Sequence, residues 1–271
     1  ACAYGLLLGF GGMMSFGHAA FFGSAAYLTG LAAKTWGLPP ELALLVGTAF
    51  AAGLGAVFGA LAIHRQGIYL AMITLALAQM VYFIFLQLPF TGAEDGLQQI
   101  PRGTLLGVVD LRSDFAMYHL VLALTLAGLW LIHRVVHSPF GHVVVAIREH
   151  EPRARSLGYP VERYKLTLFV LSAALSGLAG SMKALVFQLA ALSDVHWHLS
   201  GDVVLMALLG GLHTVFGPAI GAALVVALQY YLDAFGGWVT LVTGLIFMVC
   251  VLCFRSGIAG AFNAFVARRR P

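Results

Sequence analysis

Residues 134–165 read RVVHSPFGHVVVAIREHEPRARSLGYPVERYK, the one long hydrophilic interruption in a chain that is otherwise mostly apolar. The stretch sets Arg134, Arg148, Arg153, Arg155, Arg163 and Lys165 against Glu149, Glu151 and Glu162, with hydrophobic runs on both sides. Short loops rich in Lys and Arg between membrane helices collect in the cytoplasm. The stretch is therefore predicted to be a cytoplasmic loop of a multi-pass membrane protein, where a cytoplasmic partner can grip it.

Composition supports that reading. Hydrophobic residues make up 61% of the 271 and charged ones only 10%, against about 25% charged in a soluble domain. Mean hydropathy is +0.92. The expected fold is an all-α integral membrane protein forming a single transmembrane domain over 1–271. The net charge of +4 is accounted for by cytoplasmic loops and calls for no nucleic acid. The three cysteines, Cys2, Cys250 and Cys253, lie in or beside apolar runs and suggest reduced, buried thiols. The chain starts ACAYGLLLGF, without Met and without a charged leader. It is expected to begin inside a longer membrane segment, with the N-terminus truncated.

Because a span takes about 17–25 apolar residues, the expected segments are a partial span at 1–12, then 15–33, 41–63, 68–88, 115–133, 164–187, 202–215, 218–234 and 238–254. That makes about eight or nine transmembrane or re-entrant helices, with 202–215 short enough to be re-entrant. With the long loop inside, Arg65 and, provided that 202–215 crosses, Arg255, Arg268, Arg269 and Arg270 also fall inside, which places eleven of the fifteen Lys and Arg there. Lys34, Arg102, Arg112 and Lys183 remain at the outer side. The C-terminus is then cytoplasmic. The outer segment 89–114 is rich in Pro, Gly and Asp and reads as loop. Arg65-Gln66-Gly67-Ile68 is echoed by Arg255-Ser256-Gly257-Ile258, a faint hint of an inverted repeat of the kind transporters carry.

Two glycine-rich breaks interrupt the apolar runs. One covers residues 9–27, where Ser15, Gly17 and His18 follow a double glycine; the other runs from Leu209-Gly210-Gly211 to Gly217-Pro218. Membrane helices tolerate such breaks where the freed backbone faces protein or a water-filled cavity. Close helix packing explains any single glycine, while the clustering with Ser, His and Thr marks both breaks as candidates for a transport path. Tyr69, Thr74 and Gln79 add polar groups to an apolar run. Lys183 sits near a span end and can snorkel. The ten histidines include His133, His137, His142, His196 and His198, but no HExxH or Cys pair joins them, so no metal site is expected. A phosphate-binding loop is missing too, and this chain is not expected to hydrolyse ATP.

The same stretches carry a family resemblance. SFGHAAFFGSAAY, RQGIYLAMITLALAQM, TGAEDGL, SPFGHVVVAIREHEPRARSLGYPVERYKL and SDVHWHLSGDVVLMALLGGLHTVFGPAIGAAL resemble, in that order, the LivM-type permease subunits of ATP-binding-cassette importers for branched-chain amino acids. The resemblance implies a permease in a bacterial inner membrane. It works beside a homologous second permease, two cytoplasmic ATPases holding ATP and Mg, and a periplasmic amino-acid binding protein, with no cofactor on the chain itself. It places an ATPase-coupling element in loop 134–163, at Glu149, Glu151, Arg153, Ala154, Arg155 and Gly158. Ala154 and Gly158 match the last alanine and the glycine of the EAA-type pattern, while Pro152 stands where the pattern has glutamate. Pro152 suits the first turn of a short helix and Gly158 its end. The implied substrate path runs past Ser15, Gly17, His18, Tyr69, Thr74, Gln79, Gly210 and Gly211, and Glu94 and Asp95 are candidates for binding-protein contact. Urea, amides or other amino acids are alternative cargo. A histidine-metal membrane enzyme is the alternative from another class. An ion-coupled carrier is disfavoured because the acids are read as lying in loops or at span edges.

Overall fold

The computed structural model describes residues 1–88, 91, 92, 95–105, 107, 109–212, 214–232, 244, 245 and 248. Helix α1 (Cys2–Gly5) continues as a π-helical turn, Leu6–Phe10, and then unwinds. Helices α2 (His18–Lys34), α3 (Pro40–Ala62), α4 (Ile68–Gln87) and α5 (Asp114–Val136) follow. The long hydrophilic loop folds into α6 (Pro139–Glu149) and α7 (Glu151–Ser156), and α8 (Val161–Phe187) returns through the body. A 3-10 turn at Leu192–Asp194 leads to α9 (Trp197–Gly210) and α10 (Gly217–Leu232). Helices α3, α4, α5 and α8 are each long and apolar enough to cross a membrane.

The heart of the body is the trio α2, α3 and α8, brought together by small residues. A Cβ at Gly47 would run into Thr29 and Ser181, one at Gly177 into Ala51, one at Gly55 into Ala173 and one at Gly180 into the backbone of Phe22. Close backbone approach of this kind is how helices associate in lipid, where burial of apolar surface supplies little. Phe21 fills the space beneath the seam, edge-on to Phe58 (5.2 Å) and Phe169 (5.9 Å). By contrast α5, exposed along most of its length, buries only Met117 and Ile132.

The structure refines three expectations. The chain is mostly helical as expected, with two-residue ladders added: β1 (Leu97–Gln98) pairs antiparallel with β4 (Leu189–Ala190), and β2 (Thr104–Leu105) with β3 (Val109–Asp110). The segment 89–114 thus contributes short ladders, and it also clamps α8, because Arg102 donates to the Val186 carbonyl at 2.8 Å. Second, α2 starts at His18 rather than at 15, since residues 11–17 are unwound with Gly12 at φ +66°. Third, the segment expected at 202–215 forms helix from Trp197 and ends at Gly210, where Gly211 turns to φ +109°. At 14 residues α9 is about 21 Å long by helical rise, short of a hydrocarbon core of about 30 Å. It folds straight back on α10 through Gly210, Gly217 and Gly221, whose backbones touch. The span expected at 238–254 and the echo at Arg255 lie outside the described residues, apart from 244, 245 and 248.

Candidate functional site

Unwinding residues 11–17 strands backbone donors in an apolar body, and hydroxyls from three elements meet them. Thr74 of α4 accepts from the Phe16 N–H (3.0 Å), Ser15 from the Gly17 N–H (3.1 Å) and Ser200 of α9 from the Ala19 N–H (2.9 Å). Ser200 then donates its own hydrogen to the Phe16 carbonyl at 2.8 Å. These bonds answer the orphan N–H groups at the start of α2. Ser15, Gly17, His18 and Thr74 are all buried, so the structure gathers these four path candidates at one joint. Tyr69 stays exposed on the first turn of α4 and makes none of these bonds, while Gln79 keeps a buried Oε1 without a partner.

His18 ties that joint to α8. Its Nε2 lies 2.9 Å from the Ser172 hydroxyl, and Ser172 donates its single hydrogen to the Ala3 carbonyl at 2.6 Å. Nε2 must therefore be the donor and carry a hydrogen. Ser176 donates to the His18 carbonyl at 3.2 Å, and one edge of Tyr4 covers the ring at 5.0 Å.

On the face that carries α6 and α7, local sequence sets the geometry. Ser138 caps α6 by accepting from the Gly141 N–H at 3.2 Å, with Pro139 in the first turn. Pro152 starts α7 in the same way. Gly158, at φ +87°, closes it: its N–H reaches the Arg155 carbonyl (3.1 Å) and the Tyr159 N–H the Ala154 carbonyl (3.2 Å). Of the six residues expected to couple to an ATPase, two face inward. Ala154 is buried among Ile147 and Val161. Glu151 accepts from Lys165 of α8 (2.5 Å), from Gln66 in the α3–α4 turn (2.5 Å) and from Arg155 (3.2 Å). Burial alone would raise its carboxyl, but the hydrogen bonds and charges of Lys165 and Arg155 outweigh that and hold its pKa below the usual range. Glu149, Arg153, Arg155 and Gly158 are exposed, beside Leu157 at 70% and Tyr159 at 42%.

One residue outside the expected set joins the two regions. Arg148, at the end of α6, donates to the Gly9 carbonyl, and its aliphatic stem lies where a side chain on Gly12 would project. On the opposite face Lys183 pairs with Asp194 at 2.5 Å, and Asp194 also accepts from the Ala191 N–H at 3.0 Å. Asp95 is exposed beside β1, and Glu94 is outside the described residues.

The two breaks also share a residue pattern. Gly11-Gly12-Met13-Met14-Ser15-Phe16-Gly17 aligns with Gly210-Gly211-Leu212-His213-Thr214-Val215-Phe216-Gly217 when one residue is allowed for. In both, the second glycine takes positive φ and a helix starts at or just after the Phe-Gly. They meet in space, since a Cβ on Gly9 would strike the Leu212 carbonyl and one on Gly5 the Pro218 ring. The shared Gly-Gly…Ser/Thr…Phe-Gly pattern is a longer likeness within the chain than the Arg-x-Gly-Ile echo.

A family profile described as branched-chain amino acid transport system / permease component matches residues 1–254. The chain belongs to this family. Curated relatives include the high-affinity branched-chain amino acid transport system permease protein LivM of Escherichia coli strain K12, 30% identical over 72% of this chain and 51% of its own length. Its counterpart from Salmonella typhimurium strain LT2 is 29% identical over 71% and 51%. The chain spans about half the length of these relatives. No solved structure matches it significantly. Family membership and the apolar helices together make this a multi-pass membrane protein, and a permease component implies partner subunits.

Proposed function

We propose that the chain is the permease subunit of an ATP-driven importer for branched-chain amino acids in a bacterial inner membrane. It forms half of the translocation path beside a homologous permease and bears on two cytoplasmic ATPases, while a periplasmic binding protein delivers the cargo. About eight or nine spanning or re-entrant segments fit this reading, with loop 134–163 and the C-terminus cytoplasmic, as the Lys and Arg distribution favours.

The observation that carries the proposal is the way α7 is mounted. Glu151 locks it to α8 and to the α3–α4 turn, while Arg148 at its doorstep holds the break that leads to His18. A push on α7 is therefore delivered to packed helices instead of being absorbed by a slack loop. The exposed Arg153, Leu157 and Tyr159 form the contact face toward the ATPase, and Glu151 and Ala154 form the mount. Arg153 enters no ion pair among the described residues, so its charge is available to a partner.

The test is leucine uptake by the assembled transporter carrying R153E, alone and with R155E. Loss of uptake with normal membrane insertion supports coupling through α7, and unchanged uptake overturns it. Uptake of urea with no uptake of leucine would reassign the cargo to the amide group.

A further inference from the structure

Tyr82 of α4 and residues between Leu192 and Asp202 line an open cleft of about 490 Å³, within the range of about 300–1,000 Å³ that small-molecule sites occupy. Asp202 and His198 both line it. They stand four residues apart on α9, a spacing that puts side chains on one face about 6 Å apart. Neither side chain enters a hydrogen bond or ion pair among the described residues. Asp194 borders the same cleft, but its charge is already paired with Lys183, which donates with the Ala191 N–H to its Oδ2. Leu192 and Leu199 supply apolar wall, and His196 stands edge-on to Tyr82 at 5.1 Å.

Asp202 is half-buried, whereas His198, in the first turn of α9, and Ser193 are exposed. Ser200, between His198 and Asp202, is bonded to Ala19, next to the His18 that meets Ser172. Ser172 lies eleven residues into the 27-residue α8, about 16 Å along a helix of about 40 Å. An open carboxylate near that level is costly against acyl chains, and such residues face a protein interior or a water-filled path. Polar groups also continue from the cleft along α4. Gln79, one turn from Tyr82, has its buried Oε1 unpartnered, and Thr74 reaches the break at Phe16. Among the described residues no three His, Cys, Asp or Glu converge as a metal site requires.

We propose that this cleft is a holding site for an α-amino-acid zwitterion on its way through the permease. Asp202 takes the ammonium, His198 and the Ser193 hydroxyl donate to the carboxylate, and the aliphatic side chain rests on Leu192 and Leu199. This rests on the amino-acid transport reading above, and it goes further in naming where the two charges of the cargo are held.

The experiment is labelled-leucine uptake by proteoliposomes holding this chain with all its partner subunits, comparing the native chain with D202N, D202E and H198Q. D202N should lower uptake at least about tenfold, as loss of a hydrogen bond to a charged group predicts, with D202E restoring most of it. In parallel, Ser193→Cys in the complex is reacted with a maleimide. Leucine should slow the reaction at the introduced thiol, and isovaleramide, similar in its apolar chain but uncharged, should not. If the native complex takes up no leucine, the transport reading falls and this site with it. If the native complex takes up leucine but D202N matches it, or leucine leaves the Ser193→Cys reaction unslowed, the site alone is overturned. A D202N chain that fails to assemble leaves the decision to the thiol measurement.

Discussion

Arg148 and Gly9 lie 139 residues apart in sequence, yet the guanidinium of one donates to the carbonyl of the other. The bond crosses from the amphipathic α6 to the last turn before the first break, and Gly12, at φ +66°, lets the Arg148 stem pass. Arginine suits this place because its fork keeps a donor for Gly9 while the charge stays toward Glu149, 3.9 Å away.

Arg148→Ala should therefore loosen the break at its lower end. Loss of a hydrogen bond from a charged group predicts about 1.5–3 kcal/mol of stability, read as a lower thermal midpoint of the purified complex. R148K should recover only part of it. An unchanged midpoint in R148A would show that the clamp contributes nothing.

Glu151 sets an acid limit on the same assembly. Its carboxyl is held below the usual range by Lys165 and Arg155. Because the folded value lies under the unfolded one, the stabilisation is complete above the unfolded value and is lost as pH falls through the folded one. Stability should thus decline on acidification below the ordinary carboxylate range of about 4. E151Q should be less stable than the native chain at neutral pH and should lose part of that acid dependence. Parallel pH profiles for the two proteins would remove Glu151 from the account.

Two glycines on α9 give a paired control for the hairpin. A Cβ at Gly210 meets the Gly217 backbone, whereas one at Gly201 meets nothing within 4 Å. G210A should cost about 1–3 kcal/mol or more through overpacking. G201A should be neutral or add about 0.5–1 kcal/mol, because alanine outperforms glycine within a helix. Equal expression and thermal midpoints for both variants would contradict the backbone contact.

At the opposite end, Lys183→Met should leave Asp194 half-served by the Ala191 N–H alone. Removing one member of a largely desolvated pair is costly, up to about 3–5 kcal/mol when fully buried. The double variant K183M/D194N should be less damaged than K183M. A double variant worse than the single would argue that the two residues act independently.

Much of this was legible in the sequence where the signal is local. Pro139, Pro152 and Gly158 announce the start of α6 and the two ends of α7, and the double glycines announce the breaks. What could not be read is what depends on distant partners. Ser200 bonds back to Phe16 across 184 residues, and Leu97–Gln98 finds its ladder partner at Leu189–Ala190. Hydropathy alone starts the helix at Asp202 and leaves it at a span edge. His196 caps the helix five residues earlier by accepting from the His198 N–H at 3.4 Å, which moves Asp202 inward. Glu151 was legible as important, but its inward direction was not, since charge in a loop says nothing about which way a side chain turns.

The seam of α2, α3 and α8 also limits how this chain can vary. At Gly47, Gly55, Gly177 and Gly180 a single added methyl would collide with a neighbour that is itself small or is main chain, so a compensating trim opposite is at most a methyl or a hydroxyl, and opposite Gly180 there is only backbone. Exposed positions such as Leu45, Val57 or Trp130 are free to exchange one apolar residue for another. At these four points the room left is that of a hydrogen atom, and a larger side chain there needs a smaller neighbour or a shift of the facing helix.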